Sequence, residues 1–427
     1  MASFSIPLTG LEADSTALNT VANDLANMNT TAFKAQTTSF SDLFYQQIGS
    51  TGAGDPIQVG AGVKVASNET SYTQGSINST GNSTDVALNG NGFFVASHNG
   101  NGAYEYTRAG NFTQDANGNI VTAAGLSVMG YPVVNGVVNT NAPLVPINIP
   151  VGQVQEPLAT TSFSMTANLD SASAAATQFP AQVTVYDSLG EPHVATVTYT
   201  QTAANTWSYS VALPAADFAS GVSTPITGTM VFDSNGNLTT VTPTGGAAGT
   251  VGTAGGDVSS IALNFNGIAD ASSNLAMQWN LLGPNGKPTI SQVDTASAVS
   301  STTQNGYPSG QYQSFSIGAD GTVTVTYSNG QLQNVGQLAL ANVTNLQGLQ
   351  LLGDGNYATT LASGTASIGT SGAAGLATLQ DGALEASNVN ISSEFSNLII
   401  AQRAFEANAK SVTTFDTVTQ DTINMVH

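Results

Sequence analysis

Residues 383–427 read ALEASNVNISSEFSNLIIAQRAFEANAKSVTTFDTVTQDTINMVH, without a glycine or a proline. Apolar side chains recur at helical spacing through Ile391, Phe395, Leu398, Phe405, Ala409, Val412, Ile423 and Val426. Steps of three and four place them on one stripe of an α-helix. At 1.5 Å per residue the helix would run roughly 50–60 Å, longer than a small domain is wide. The stripe is thin, because Gln402 and Asp416 sit on its line and Ser, Thr, Asn and Ala fill its flanks. A long helix with a narrow apolar seam is expected to be one member of a coiled coil or bundle, with its partner elsewhere in the chain or in another copy.

The front of the chain mirrors the back. Thr9-x-x-Glu12 has the form of a capping box, and Leu11, Leu18 and Leu25 follow at intervals of seven. This predicts a second thin-seamed helix from about Thr9 to Met28. Phe33, Phe40, Leu43, Phe44 and Ile48 follow it, as a further short helix or an anchoring arm.

Between the two ends the text changes to β. Asn-Gly pairs punctuate it at residues 89, 91, 99, 117, 135, 235, 285 and 329, and such pairs favour hairpins because both central residues must accept positive φ. Alternating runs such as Val183-Thr-Val-Tyr186, Val194–Tyr199 and Val323–Tyr327 lie between them. The fold class expected is mainly β with α-helical termini, nested as three domains. The terminal helical domain takes 1–70 plus 366–427, a β-rich middle domain takes 71–148 plus 306–365, and an inserted β-rich outer domain takes 149–305. The outer stretch opens on Pro143, Pro146, Pro150 and Pro157, has Lys287 as its one Lys or Arg, and contains the low-complexity run 244–256, read as a surface loop.

Composition narrows the function. Charged residues make up 7% of the 427, and six Lys+Arg face 26 Asp+Glu for a net charge of -20. Such a chain cannot build the basic face that nucleic acid requires, and anionic membrane surfaces repel it. No apolar run reaches the length of a bilayer span, so no membrane insertion is expected. Without Cys there are no disulfides or thiolate metal sites, and no charged n-region precedes an apolar core at the N-terminus. Export, if it occurs, is expected to use no cleaved signal.

Chemistry is not legible. His98, His193 and His427 are at metal-ligand spacing with no other His or carboxylate and are read as surface or loop histidines, no nucleophile elbow occurs, and Gly286-Lys287 lacks the rest of a phosphate loop. Asp115-Ala-Asn-Gly-Asn119 and Asp233-Ser-Asn-Gly-Asn237 begin like calcium loops. They lack the glycine at the sixth position and the carboxylate at the twelfth, and read as turns. No catalytic, cofactor or metal residues are assigned, and no enzyme is expected.

Three blocks carry a resemblance. Ala22-Asn-Asp-Leu-Ala-Asn-Met-Asn-Thr-Thr-Ala-Phe-Lys34 resembles the N-terminal signature of bacterial flagellar axial proteins of the rod and hook. Thr84–Phe94 with Tyr106–Phe112 resembles their shared β-domain motif, and Leu384–Asn390 with Ala401–Asn408 their C-terminal signature. Ala32 stands where the family usually has Gly, Asn390 where it has Asp, and Phe405 where it has Tyr. The inserted stretch, with Val183–Glu191, is similar to the outer domain of the hook-forming members.

The resemblance implies a structural subunit that polymerises with itself into a curved, flexible tube joining rod to filament and transmitting motor torque as a universal joint. It implies flagellar type III export with an uncleaved signal, a basal body and hook location outside the cell, and contacts with the distal rod protein, the hook cap and the hook–filament junction protein. The assembly interface is expected at Leu11, Leu18, Leu25, Asn27, Asn29, Phe33, Asn388, Phe395, Leu398, Gln402, Arg403, Phe405 and Val412. Leu11, Leu18 and Leu25 are expected to meet Phe395, Leu398, Phe405 and Val412 in the tube core. The terminal seams, too thin to hold alone, are expected to order only on polymerisation. Arg403 and Lys410, near Glu406 and Glu394, would fix helix register or form a solvated face. The alternatives are a distal rod or hook-associated protein of the same system, or a secreted β-rich adhesin.

Overall fold

The computed structural model describes residues 5–98, 103–251, 258–270 and 272–425. Its residues divide into two compact units, Met1–Val151 with Ser314–Thr326 and Leu332–His427, and Gly152–Gln313 with Tyr327–Gln331.

The first unit holds both helices, α1 (Ser5–Ala26) and α2 (Ile391–Met425). α1 is already helical at Ser5, so Thr9 is no cap. Its hydroxyl donates to the Ile6 carbonyl at 2.7 Å and accepts the Val63 N–H at 3.3 Å. α1 stops short of Met28 because the Asn27 amide folds back onto the Asn23 carbonyl at 2.9 Å, starting the exit turn. Ala32 completes that turn at φ 57, a left-handed conformation that favours glycine.

No helix follows. The chain enters β1 (Gln36–Asp42), β2 (Tyr45–Ser50), β3 (Pro56–Gly60) and β4 (Val63–Thr70). β1 pairs antiparallel with β4, and β2 with β3. The run Thr37-Thr-Ser-Phe-Ser41 explains the strand. Ser and Thr compete with helix hydrogen bonding but bridge well across strands, and Ser39 meets the Ser67 hydroxyl at 2.7 Å. The anchoring arm is therefore β.

The C-terminal stretch also begins as β. Ala383–Glu385 pairs with Ile77–Ser79, and the helix starts only at Ile391. Asn390 caps it, its Oδ1 accepting the Ser393 N–H at 3.1 Å. The helix is 35 residues long, about 50 Å by its rise.

The β body of this unit centres on Phe93–Ser97, paired with Tyr104–Thr107 on one side and Ser127–Val134 on the other. Phe93, Val95, Tyr106, Met129, Tyr131, Ala341 and Tyr357 form its core, with Phe93 and Tyr357 edge to face at 5.4 Å.

The second unit packs two sheets. One is an antiparallel meander of six strands from Gln178–Tyr186 to Gly249–Thr250. The other is mixed, with Ser162–Asp170 parallel to Leu275–Asn280 and Ile290–Val293 and antiparallel to Ala298–Gln304. Their inward faces share Phe163, Tyr199, Trp207, Tyr209, Phe265 and Trp279, as expected of strands that alternate buried and exposed residues. In this unit Asp187, across the same hairpin turn, and Asp217 and Asp270, from distant parts of the chain, converge on His193, which is buried rather than at the surface. Sequence spacing could not show Asp217 and Asp270 there, because only the tertiary fold brings them to His193.

Of the Asn-Gly turns, Asn135-Gly136 has positive φ at both residues (53 and 78). At Asn117-Gly118, Asn235-Gly236 and Asn329-Gly330 only the glycine is left-handed. The first two are built on an aspartate instead, with Asp115 and Asp233 accepting backbone N–H groups two and four residues on. The calcium-like stretches are therefore turns. Gly249–Thr250, within the low-complexity run, is a short strand against Thr240 and Val241. The Asn99-Gly100 turn, the rest of that run over 252–256, Val426 and His427 lie outside the described residues.

Candidate assembly interface

α1 and α2 run antiparallel. They pack tightly at Gly10, where a Cβ would sit 2.6 Å from the Asn408 amide nitrogen. The same amide donates to Asp14 Oδ2 at 2.8 Å. Ala401 is the one buried residue of α2 among those described. Leu11, Leu18, Leu25, Leu398 and Val412 are half-buried along this junction. Phe395 is 53% exposed and Phe405 37%, so they are not sealed against the leucines of their own chain. Small residues cause this: Gly10, Ala401 and Ala404 let the backbones approach, and the large side chains turn outward.

The outward face is substantial. Ile391, Phe395, Ile399, Ile400, Val418, Ile423 and Met425 are exposed along α2, as are Ile6 and Leu8 on α1. Phe44, Tyr45, Ile48, Ile57 and Val59 on the arm are exposed too, with Phe44 at 89%. Where α1, β1 and α2 meet there is a groove of about 330 Å3, lined by Thr20, Val21, Phe40, Ile400, Ala401 and Ala404 among others. Exposed apolar side chains gathered on α2, α1 and the arm are what an interaction face presents. Gln402 and Arg403 lie on the solvent side. Arg403 is 3.7 Å from Glu406 in an exposed pair, which matches the solvated-face reading. Asn29 is exposed and Asn27 half-buried in the exit turn.

The base of this apparatus is rigidly tied. Glu385 is fully buried and accepts Lys34 Nζ at 2.6 Å and Arg108 Nε at 3.0 Å. The Gly75 N–H donates to the same carboxylate, Lys34 also donates to the Thr73 carbonyl, and Arg108 donates to the Gly90 and Gly92 carbonyls. Burial holds Lys34 below its ordinary pKa, against the pull of Glu385. Asn388 adds a second knot. Its Oδ1 accepts the Ala35 N–H at 2.8 Å and its amide donates to the Ser71 and Thr73 carbonyls, while its own N–H reaches the Phe33 carbonyl. Asn388 and Phe33, both expected at an interface, are thus brought together inside one chain. Asp24 Oδ2 accepts the Gln36 N–H at 2.8 Å. Burial pushes the Asp24 pKa up to about 6, against the Gln36 bond and with a further push from Glu394.

Lys34, Arg108 and Glu385 were not singled out by sequence reasoning. A signal was present: three of the chain's six Lys+Arg residues, Lys34, Arg108 and Arg403, fall inside the quoted signature blocks.

Two helices with an open apolar face are thus rooted by a charged knot in a β body. Residues 7–34 match the flagella basal body rod protein family, 87–168 the flagellar hook protein FlgE/F/G D1 domain, 148–307 the flagellar basal body protein FlaE D2 domain, and 380–425 the flagellar basal body rod FlgEFG protein C-terminal region. The flagellar hook protein FlgE of Salmonella typhimurium is 35% identical over 99% of this chain and 100% of its own length. The chain belongs to the flagellar hook protein FlgE family. FlgE of Escherichia coli is 34% identical over 99% of both chains, and that of Treponema pallidum 33% over 98% of both. The crystal structure of Helicobacter pylori FlgE2 covers 71% of this chain and 99% of its own, at TM-score 0.53 and 15% identity, and shows likeness of fold. FlgE-family chains are structural hook subunits, and this one is read as such in place of a rod protein or an adhesin. Among the described residues no helix is long and apolar enough to cross a membrane.

Proposed function

We propose that many copies of this chain polymerise head to tail into the curved tube of the hook, joining rod to filament and transmitting torque as a universal joint. The observation that carries this is α2, with 35 residues and Ala401 alone buried among those described. A helix so poorly covered gains its stability from neighbours, and a head-to-tail contact that does not close produces an open filament. In the tube, Phe395, Phe405, Ile399 and Ile400 of one copy pack against α1 and the groove beside β1 of the next, forming a coiled-coil-like core.

The three-part division is part of the proposal: 1–70 with 366–427 builds the inner tube, 71–148 with 306–365 a middle layer, and 149–305 the outer one. The family matches at 7–34, 87–168, 148–307 and 380–425 support this order. Bending leaves the β domains rigid while polar surfaces between copies slide. The distal rod protein, hook cap and hook–filament junction protein meet the same terminal faces, and export runs through the flagellar type III apparatus without a cleaved signal.

Removing 1–70 and 370–427 tests the reading. The remaining chain is expected to be a soluble monomer under conditions in which the full chain forms tubes. Tubes formed by the truncated chain would overturn it.

A further inference from the structure

We propose that Asp187, His193 and Asp270 of the second unit form a binding site for one divalent transition-metal ion of the zinc class. His193 is 5% exposed and Asp187 0%. His193 Nδ1 lies 2.9 Å from Asp217 Oδ2, a hydrogen bond that puts the ring proton on Nδ1 and leaves the lone pair on Nε2. That Nε2 has no hydrogen-bond partner, and neither has Asp187 Oδ2. The two atoms face each other at 3.6 Å. Asp187 Oδ1, by contrast, is fully engaged by the N–H groups of Leu189 and Glu191, each at 2.9 Å.

Two buried acceptors pointed at one another are unfavourable unless something positive lies between them. At 3.6 Å they are too far apart for a good hydrogen bond. Ligand atoms about 2.0–2.2 Å from a tetrahedral zinc ion stand roughly 3.3–3.6 Å apart. Asp270 completes the set, since one donor atom from each of the three residues lies within 4.8 Å of the others. Asp270 is exposed and gives the ion its way in, with a water as fourth ligand. The mix of imidazole and carboxylate favours zinc-class ions over calcium or magnesium. The carboxylate behind the histidine is the arrangement that orients metal-bound imidazoles. The ion would pin the hairpin at Asp187, the turn Ala215–Asp217 and the Asp270 loop to one another.

The test uses the full-length chain, stripped with a chelator and titrated with Zn2+ against a chromophoric competitor in excess Mg2+. One tight equivalent is expected, with a rise in melting temperature and a shift of the His193 Nε2 resonance. Asp270→Asn, at an exposed position that leaves the fold intact, is expected to weaken binding at least tenfold, and His193→Gln to abolish it. His98→Gln should change nothing. The proposal fails if the folded chain binds no tight Zn2+, if Asp270→Asn leaves the affinity unchanged, or if Nε2 carries a proton that Zn2+ does not displace.

Discussion

At the scale of single residues, the protein concentrates its scarce charge. Glu385 pairs with two buried cations, Lys34 and Arg108, and so joins the segment after α1, the β body and the segment before α2. Removing one partner of a buried ionic group costs far more than the group itself contributes. Glu385→Gln is expected to destabilise the first unit by about 3–5 kcal/mol in chemical denaturation. Lys34→Met, which leaves the Arg108–Glu385 pair balanced, is expected to cost less. Asp24 acts in the opposite sense. Its pKa is raised from 3.8 to about 6, so between those values the folded chain holds a proton that the unfolded chain has lost. Stability from this group is full below about pH 4, falls as pH rises toward 6 and is level above it. Asp24→Asn is expected to remove that slope, measured as the pH dependence of the first unit's stability in chemical denaturation. A slope surviving in the variant would assign it to another group.

At the scale of elements, periodicity revealed both helices and misplaced their ends. The seam over 391–412 was legible because steps of three and four fix a helix whatever it packs on. The extended start at Ala383–Glu385 was not, because its reason is a distant strand, Ile77–Ser79. The same holds for β1, where local apolar spacing permitted a helix and pairing with β4 decided otherwise. The buried triad, and Asp217 and Asp270 beside His193, were invisible for that reason too: their partners are far apart in sequence. Phe395 and Phe405 were identified as part of the seam, yet on this chain alone they face outward. A double change of Phe395 and Ile400 to Ser is therefore expected to leave the melting of the monomer within about 0.5 kcal/mol, as surface substitutions do, while abolishing tube formation by electron microscopy. A large loss of monomer stability would place those side chains in an internal core.

At the scale of the whole molecule, the chain combines two kinds of stability. The β units have sealed cores, with Trp207, Trp279, Tyr199 and Phe94 almost fully buried. The helical ends have an open face. Such a division suits a subunit whose bodies must stay rigid while its ends gain order from neighbours, and local stability is expected to follow it. The central claim is that α1 and α2 are held mainly by other copies. Hydrogen exchange on dilute monomer and on assembled tubes tests it most directly: amides of residues 10–28 and 391–423 should exchange rapidly in the monomer and become strongly protected in the tube, with the β cores protected in both. Strong protection of those helices in dilute monomer would contradict the account.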